Sequence, residues 1–463
     1  MTFGASVSFV LLAIAQQAGP KAPPPKVTDS QVPPALILPA PTDATASMVN
    51  APLTADEAAR IALKLQPTVK AAEGALLAAK GRVTSAGAAL NPQVGVYAGY
   101  DSVNSLSGPG NAIPQEPSAG AVFGLPPVFT YSSAVQGRQL LYDFNQTRNL
   151  VRQTEALQGV AESTLMQVQK DLVFQVKNAF YAFANATNLV TVNEQNLANR
   201  QRQLDLADAR LRHEIGLPSD VVVAETSKSQ AILALNVARD QAEQARVALL
   251  RLMGVDPFTP IAPDLSTEPP LPNKDPKGLI DLALKMRPEI VEAQRNVAAS
   301  KYGLSAAKAF GFPSIYAEAA VGAAGDSFPL KDNSSSIGLG LSWNLLDGGA
   351  RTGAVQTAQG QLNTAVANLQ GATIAVRNDV TAAFQEVQSS EQRIGIASDE
   401  VTNATEGVRI AEGRYTEGLG LFQDILTAEG LLVSAQTDQA NAISALNQAR
   451  AELRHAIGEV FAR

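Results

Sequence analysis

Side chains that commonly carry out chemistry are few in this chain, and they do not form a known catalytic pattern. The 463 residues contain two histidines, His213 and His455, and neither lies in an H-E-x-x-H motif. G-x-S-x-G and G-x-x-x-x-G-K-[ST] motifs are also missing from the sequence. His455 falls in a predicted helix, where a surface or packing role is expected, and Asp399 and Glu400 fall on the charged side of a predicted coiled coil. We therefore expect no enzyme, cofactor or metal site, although an Asp/Glu-based hydrolase stays open at this point.

The composition excludes several other classes of function. The sequence contains no cysteine, so a disulfide, a thiolate zinc site and a cysteine nucleophile are impossible, and N-terminal lipidation is not expected. The formal net charge is −7 and 17% of the residues are charged, which leaves no basic surplus for nucleic-acid binding. The function must therefore be sought in the elements that the chain builds.

The N-terminus predicts a secretory signal peptide over residues 1–18. It has an apolar run over residues 5–15, with small residues at Ala13 and Ala15. A buried first helix is the alternative, but the Pro-rich segment over residues 19–52 would not continue a packed helix. No other apolar run approaches the ~18 residues that a transmembrane helix requires. If this chain crosses a membrane, we expect it to do so as strands.

The chain aligns with itself over most of its length, which indicates an internal duplication. The stretch IALKLQP at residues 61–67 matches LALKMRP at residues 282–288. Likewise, DVVVAE at residues 220–225 matches DILTAE at residues 424–429. Each copy predicts the same order of helix, strand, loop, strand, long helix, turn and helix. The expected boundaries are residues 53–254 for the first repeat, 255–274 for a Pro-rich connector and 275–463 for the second repeat with the C-terminus.

The long helix of each repeat carries an apolar seam with alternating steps of four and three residues. The seam runs from Val376 to Tyr415 in the second repeat, and the equivalent positions run from Leu172 to Leu211 in the first. A sustained period of 3.5 residues predicts coiled-coil packing against neighbouring helices. With no proline between residues 351 and 417, this helix would be about 100 Å long. Such a helix must belong to a rod or a tube.

Four segments alternate apolar residues with small or polar ones, as strands with two different faces do. The clearest is SIGLGLSWNLLDGG at residues 336–349, where every second position from Ile337 to Leu345 is apolar. A small soluble sheet and a membrane barrel both explain this alternation, and lengths of about nine to eleven residues suit a tilted membrane crossing. Four strands cannot close a barrel alone, because the smallest bacterial barrels have about eight. The other segments are residues 93–101, 131–143 and 314–322.

The duplication and two local motifs resemble the TolC-like outer-membrane efflux channels. The sequence LLDGGAR at residues 345–351 is similar to the family's strand-to-helix corner. The sequence RYTEGLGLFQDILTAE at residues 414–429 is similar to its helical-hairpin tip. The resemblance implies a mainly α fold with a membrane β-barrel portion, in which long coiled-coil helices form an α-barrel. It also implies a homotrimer, in which four strands from each of three chains form one shared twelve-stranded barrel.

A location and a set of partners follow from the same resemblance. The protein would lie in the bacterial outer membrane, among its lipids, with a long periplasmic extension. It would conduct substrates passively, as the exit duct of a tripartite efflux or type I secretion system. Its partners would be a periplasmic adaptor protein and an inner-membrane transporter. The loops at residues 102–130 and 325–335 would face outside the cell, and no nucleic-acid partner is expected.

The two helical turns would form the periplasmic entrance and the adaptor contact. Glycine permits a tight reversal there, and adaptor recognition is a further possible role. Asp220 and Asp424 would either cap the returning helices or form carboxylate rings that favour cations in the mouth. Arg210 and Arg414 would hold the entrance shut through polar links, or else be solvated. The implied residues are Arg210, Leu211, Gly216, Leu217 and Asp220 in the first repeat, and Arg414, Tyr415, Gly418, Leu419 and Asp424 in the second.

The sequence departs from the family pattern at both tips. Glu214 stands at the position that matches Gly418, and Gly216 follows two residues later, so the first tip is expected to turn differently. In the family's best-known member a second acidic residue lies one turn beyond the first, and here Thr427 stands at that place. We therefore expect at most one acidic ring.

Two aromatic residues late in the second strands complete the expectations. Tyr142 and Trp343 are expected to form an aromatic belt at the membrane interface, with a core position as the alternative for Trp343. The competing function is a periplasmic coiled-coil scaffold or adhesin without channel activity, whose strands form a small soluble sheet. The alternation over residues 336–349 and the signal-like N-terminus favour the channel.

Overall fold

The computed structural model describes residues 52–103, 128–264, 267–270, 275–325, 330 and 332–459. The predicted signal peptide and nearly all of the Pro-rich segment before the first repeat lie outside these residues. Most of the two strand–strand loops predicted to face outside the cell also lie outside them.

The described chain is mainly helical, and its two halves contain the same elements in the same order. The first half comprises α1 (Ala55–Leu65), α2 (Pro67–Ala88), β1 (Gln93–Val103), β2 (Val128–Tyr142), α3 (Gln146–Arg212) and α4 (Pro218–Met253). The second half comprises α5 (Pro276–Met286), α6 (Pro288–Ala309), β3 (Ser314–Gly325), β4 (Asp332–Ser342), α7 (Ala350–Thr416) and α8 (Phe422–Ile457). Corresponding helices of the two halves have equal lengths of 11, 22, 67 and 36 residues, as a duplication predicts.

The long helices α3 and α7 dominate the architecture. Each has 67 residues and is therefore about 100 Å long. The predicted seams are their inward faces, because Leu172 and Val176 of α3 and Val376 and Val380 of α7 are buried. The helix α3 packs along α4, and α7 packs along α8, as two antiparallel hairpins. None of the described helices is both long and apolar enough to span a membrane.

The four strands form one antiparallel sheet in the order β1-β2-β3-β4. Val135 of β2 lies opposite Val96 of β1 and Val321 of β3, so alternate side chains share one apolar face. None of the residues that the structure describes covers this face, and Ile337 on β4 is 90% exposed. On the opposite face, Arg138 pairs with Glu318 at 3.6 Å. Among the described residues β1 and β4 each pair with one strand only, so the sheet is open at both edges.

The last predicted strand is shorter than its alternation suggests. The strand β4 ends at Ser342, so Trp343 and Leu345 follow the strand, and the prediction that they lie within it is wrong. The indole N–H of Trp343 donates to the carbonyl of Gly311 at 3.2 Å, which turns this residue towards the end of α6. The alternation of apolar residues in the sequence therefore continues for three residues beyond the last residue of β4.

The connector between the repeats is tied to the helices. The carbonyl of Leu53 accepts from the Asp264 N–H at 2.8 Å. Glu268 is buried and pairs with Lys177 of α3 at 2.9 Å and with Arg454 of α8 at 3.1 Å. The hydroxyl of Tyr181 also donates to Glu268. These four side chains, the connector cluster, join the first repeat to the second because they belong to α3, α8 and the connector. The cluster consists of Lys177, Tyr181, Glu268 and Arg454.

Candidate functional site at the helical tip

The turns that join α3 to α4 and α7 to α8 have the same backbone geometry. Glu214 in the first turn and Gly418 in the second are both left-handed, with φ of 59° and 75°. In each turn the following N–H donates to the carbonyl five residues earlier. These bonds join Ile215 to Arg210 at 3.0 Å and Leu419 to Arg414 at 2.7 Å. The prediction that the first tip turns differently is therefore wrong, because Glu214 adopts the conformation that glycine has in the second tip.

Gly216 has a different role from the reversal predicted for it. Its φ lies outside the left-handed region, whereas a Cβ at this position would lie 2.8 Å from the backbone nitrogen of Leu211. Its counterpart Gly420 would place a Cβ 3.1 Å from the Cβ of Arg414. Glycine is needed at 216 because the chain passes close to the end of α3. The predicted positive φ is confirmed at Gly418 alone.

The two tip aspartates occupy equivalent positions but bind different groups. The Oδ2 atom of Asp424 accepts from the Leu421 N–H at 3.0 Å and so caps the start of α8. The Oδ2 atom of Asp220 instead accepts from the hydroxyl of Tyr415 at 3.2 Å. The capping role weighed for both residues therefore holds for Asp424, which is exposed, and not for Asp220, which is half-buried.

Tyr415 is the centre of the tip. It is 5% exposed and packs in an apolar cluster with Ala207, Ala224 and Phe422. The guanidinium of Arg210 lies over its ring, 4.5 Å from the centroid. Because Tyr415 belongs to α7, Arg210 to α3 and Asp220 to α4, one side chain joins the second hairpin to the first.

The two tip arginines make different contacts. Nη1 of Arg210 donates to the carbonyl of Thr416 at 3.4 Å, across the two hairpins. Nη2 of Arg414 donates to the carbonyl of Leu419 at 3.4 Å, within its own turn. Arg210 therefore forms a polar link between the two hairpins, as predicted. Arg414 forms a polar link only within its own turn.

The environment of Tyr415 affects its protonation. Burial is the largest cause that raises its pKa above the ordinary value, and the Asp220 carboxylate raises it further. Arg210 acts in the opposite direction. The hydroxyl therefore stays protonated near neutral pH, where it donates to Asp220.

The outer end of each turn is apolar and exposed. Leu217 and Leu419, both singled out from the sequence, are largely exposed, whereas Leu211 is half-buried. Ile215 and Leu421, which sequence reasoning missed, are equally exposed beside them. An apolar surface at the end of a helical hairpin is typical of a surface that another protein covers.

A buried polar cluster lies deeper in the hairpins and was also missed. Arg200 and Gln203 of α3 meet Glu412 of α7 and Glu429 of α8, and we call these four residues the inner polar cluster. Nη1 of Arg200 donates to Glu429 at 2.8 Å. Nε2 of Gln203 donates to Glu412 at 2.8 Å and to Glu429 at 3.2 Å. The signal in the sequence was Glu429 itself, a charged residue in the apolar row between Ile425 and Leu432.

Aromatic side chains gather where the strands meet the long helices. Tyr142 and Trp343 are both about half-exposed. The ring of Tyr142 meets Phe144 edge-on, and Phe144 stacks on Phe312, each at 4.9 Å. Sequence reasoning missed Phe144 and Phe312. Phe144 has a left-handed backbone with a φ of 54° at the turn between β2 and α3. No signal in the sequence indicates this turn, because no glycine stands at that position.

Comparison with known proteins decides the family. Residues 58–255 and 279–459 match the sequence model of outer membrane efflux proteins. The chain belongs to this family. Membership places this efflux protein among the outer-membrane transport proteins, and the predicted location and class of function are confirmed.

Individual relatives agree with this assignment. The outer membrane efflux protein BepC of Brucella suis is 28% identical over 66% of this chain and 67% of its own length. The outer membrane protein TolC of Salmonella enteritidis is 23% identical over 78% of this chain and 73% of its own length. The solved structure of the outer membrane protein VceC from Vibrio cholerae has a TM-score of 0.75 at 19% identity. It covers 88% of this chain and 96% of VceC, so the prediction of a mainly helical TolC-like fold with few strands is confirmed.

Proposed function

We propose that this efflux protein is the passive exit duct of a tripartite efflux or type I secretion system, and that its helical tip is the gate. The observation that carries the gate is Tyr415, which holds one hairpin against the other through Asp220 and Arg210. Movement of the α7–α8 hairpin away from α3 and α4 breaks both contacts together. Such an element has two discrete arrangements, which a gate requires.

A homotrimer is the assembly that the open sheet supports. Within the described residues, the sheet has an unpaired strand at each edge and an exposed apolar face. An apolar face of this kind is stable against lipid, and the unpaired edges require further strands to complete their hydrogen bonds. Four strands from each of three chains close one barrel of twelve. Tyr142 and Trp343 then lie at the periplasmic end of the strands, where an aromatic belt forms.

The exposed apolar end of the tip supports an adaptor contact. Within the described part of the chain, no residue covers the side chains of four residues there, Ile215, Leu217, Leu419 and Leu421. We assign this surface to a periplasmic adaptor protein, which would connect the duct to an inner-membrane transporter. The energy for transport comes from that transporter, because the duct only opens and closes.

An acidic ring at the entrance is assigned to Asp424, because Asp220 is engaged by Tyr415. We expect Asp424→Asn to weaken cation preference, since threefold symmetry places three of these carboxylates around one mouth. Asparagine still accepts from the Leu421 N–H, so the helix cap survives the change. The measurement is the reversal potential in a salt gradient across a planar bilayer. Asp438→Asn, on the exposed side of the same helix, is the matched control, and an unchanged potential for Asp424→Asn removes the ring.

The proposed function is tested by mass and conductance together. Light scattering of the detergent-extracted protein should give the mass of three chains, and planar bilayers should show discrete conductance steps. A monomer that stays in solution without detergent and forms no conducting unit would support the scaffold or adhesin instead.

A further inference from the structure

The inner polar cluster is unusual because it holds two carboxylates, one of them fully buried, with one guanidinium. Glu429 is 2% exposed and Gln203 is 4% exposed. Among the described residues, Arg200 supplies the one positive charge in direct contact with Glu429, at 2.8 Å. Buried charges persist only when paired and hydrogen-bonded, and here the pairing is incomplete. The Oε1 atom of Gln203 is also buried without a hydrogen-bond partner.

The cluster joins the two repeats, and the positions that the duplication makes equivalent do not form a second one. The alignment that pairs Phe180 with Phe384 also pairs Glu429 with Glu225. Glu225 is exposed on α4. The counterparts of the two α3 residues cannot bind a carboxylate through their side chains, because they are Ala404 and Gly407 on α7. The polar connection between α3 and α8 therefore has no equivalent at the corresponding positions of the duplication.

We propose that the inner polar cluster is a proton-sensitive latch, which holds α3 against α7 and α8 behind the tip and closes more tightly when Glu429 binds a proton. This inference rests on the proposed gate. Residues of three helices meet in the cluster, so the α7–α8 hairpin cannot swing away from α3 without breaking it. Opening admits water to Glu429, and hydration favours the ionised carboxylate.

The surroundings of Glu429 determine the direction of the response. Burial is the largest cause, and it raises the pKa of Glu429 above its ordinary value of 4.5. Arg200, Gln203 and Arg202 on α3 oppose this rise, whereas Glu412 on α7 adds to it. The closed form binds the proton more tightly than an open, hydrated form. Its stabilisation is complete below the ordinary glutamate pKa and is lost as the pH rises through the raised pKa.

The decisive variant is Glu429→Gln, measured in full-length protein in planar bilayers at several pH values. Glutamine keeps an oxygen acceptor for Arg200, has almost the same shape as glutamate and cannot ionise. We expect it to stay closed at neutral pH, with an open probability like that of the unchanged protein in acid. Without the substitution, the ratio of open to closed channels should change between pH 4.5 and neutrality by up to about tenfold for each unit by which the pKa of Glu429 differs between the closed and open forms. In Glu429→Gln this contribution to the pH dependence should be lost. Glu225→Gln removes the same charge from the exposed equivalent and should leave gating unchanged.

The outcomes separate the latch from the gate. If the protein without substitutions forms no conducting trimer, the proposed function itself is overturned. A conducting trimer in which Glu429→Gln and Glu225→Gln gate alike overturns the latch and leaves the gate standing. A Glu429→Gln channel that opens more readily than the unchanged protein also overturns it, because the ionised ion pair would then be the stabilising form. Circular dichroism of each variant separates these results from misfolding.

Discussion

At the scale of single residues, the tip shows that equivalent positions do not imply equivalent roles. Asp424 caps its helix, while Asp220 binds a tyrosine that has no counterpart in the first repeat, where Leu211 stands. Tyr415 therefore makes the tip asymmetric, because the contact between the hairpins takes its tyrosine from the second hairpin and its aspartate and arginine from the first. The hydroxyl is the polar atom through which Tyr415 binds Asp220.

Tyr415→Phe should loosen the tip without changing its packing. The substitution removes a hydrogen bond to a charged acceptor, which contributes about 1.5–3 kcal/mol, so the open fraction should rise roughly tenfold or more. The measurement is conductance in planar bilayers, with Tyr302→Phe on α6 as the control. In the unchanged protein the contact should also fail as the pH rises from the ordinary tyrosine pKa of 10.0 through the raised value. Identical alkaline opening in Tyr415→Phe would contradict the assignment.

At the scale of elements, each turn needs one left-handed residue and one residue without a side chain. The second turn meets both needs with glycine, at Gly418 and Gly420. The first turn uses Gly216 for the close approach and places Glu214 in the left-handed conformation, which costs roughly 1 kcal/mol for a residue with a Cβ. The two needs are therefore separable in the first turn.

Gly216→Ala should disrupt the first turn more than Glu214→Gly does. The added methyl would lie 2.8 Å from the Leu211 nitrogen, so the turn must shift, whereas Glu214→Gly relieves a strained φ. Limited proteolysis with trypsin reports this, because Arg212 is exposed beside the turn. Cleavage there should accelerate in Gly216→Ala and not in Glu214→Gly. Equal rates would show that the close approach relaxes without cost.

The elements were more predictable than the contacts between them. Hydrophobic periodicity located the long helices and strands, because it reflects which face of each element is buried. It failed at Trp343, where apolar alternation continues past the ladder, and at Glu214, where a non-glycine residue takes a glycine conformation. The inner polar cluster was missed because its partners lie more than two hundred residues apart, as Gln203 and Glu429 do. Local sequence patterns do not predict contacts between residues so far apart in the chain.

At the scale of the whole molecule, the connector cluster joins the two repeats at one level of the helical hairpins. Glu268 receives contacts from α3 and α8, and Lys177 is paired in addition with Asp56 at 2.7 Å. Arg450 of α8 also donates to the carbonyl of Glu268 at 2.9 Å. A Pro-rich segment that the sequence marks only as a connector is therefore part of the molecule's interior.

Glu268→Gln removes one charge and should lower the free energy of unfolding strongly. It leaves two buried cations short of a counter-charge, and breaking a buried pair in this way costs about 3–5 kcal/mol. The thermal unfolding midpoint in detergent should fall accordingly. Glu452→Gln, an exposed glutamate of α8, is the matched control and should stay within about 0.5 kcal/mol of the unchanged protein. Equal midpoints for the two variants would show that Asp56 and Glu459 are sufficient to neutralise Lys177 and Arg454.

The position of the connector cluster turns the long helix α3 into a lever. From Lys177 to the end of α3 at Arg212 the helix runs for about 50 Å, which is the arm between the pivot and the tip. A tilt of about 5° at the pivot displaces the tip by about 4–5 Å over that arm. Side chains near the pivot slide only a fraction of that distance, so their packing survives. In the proposed gate, a rotation that is too small to repack the coiled coil would therefore widen the entrance by about the size of a small molecule.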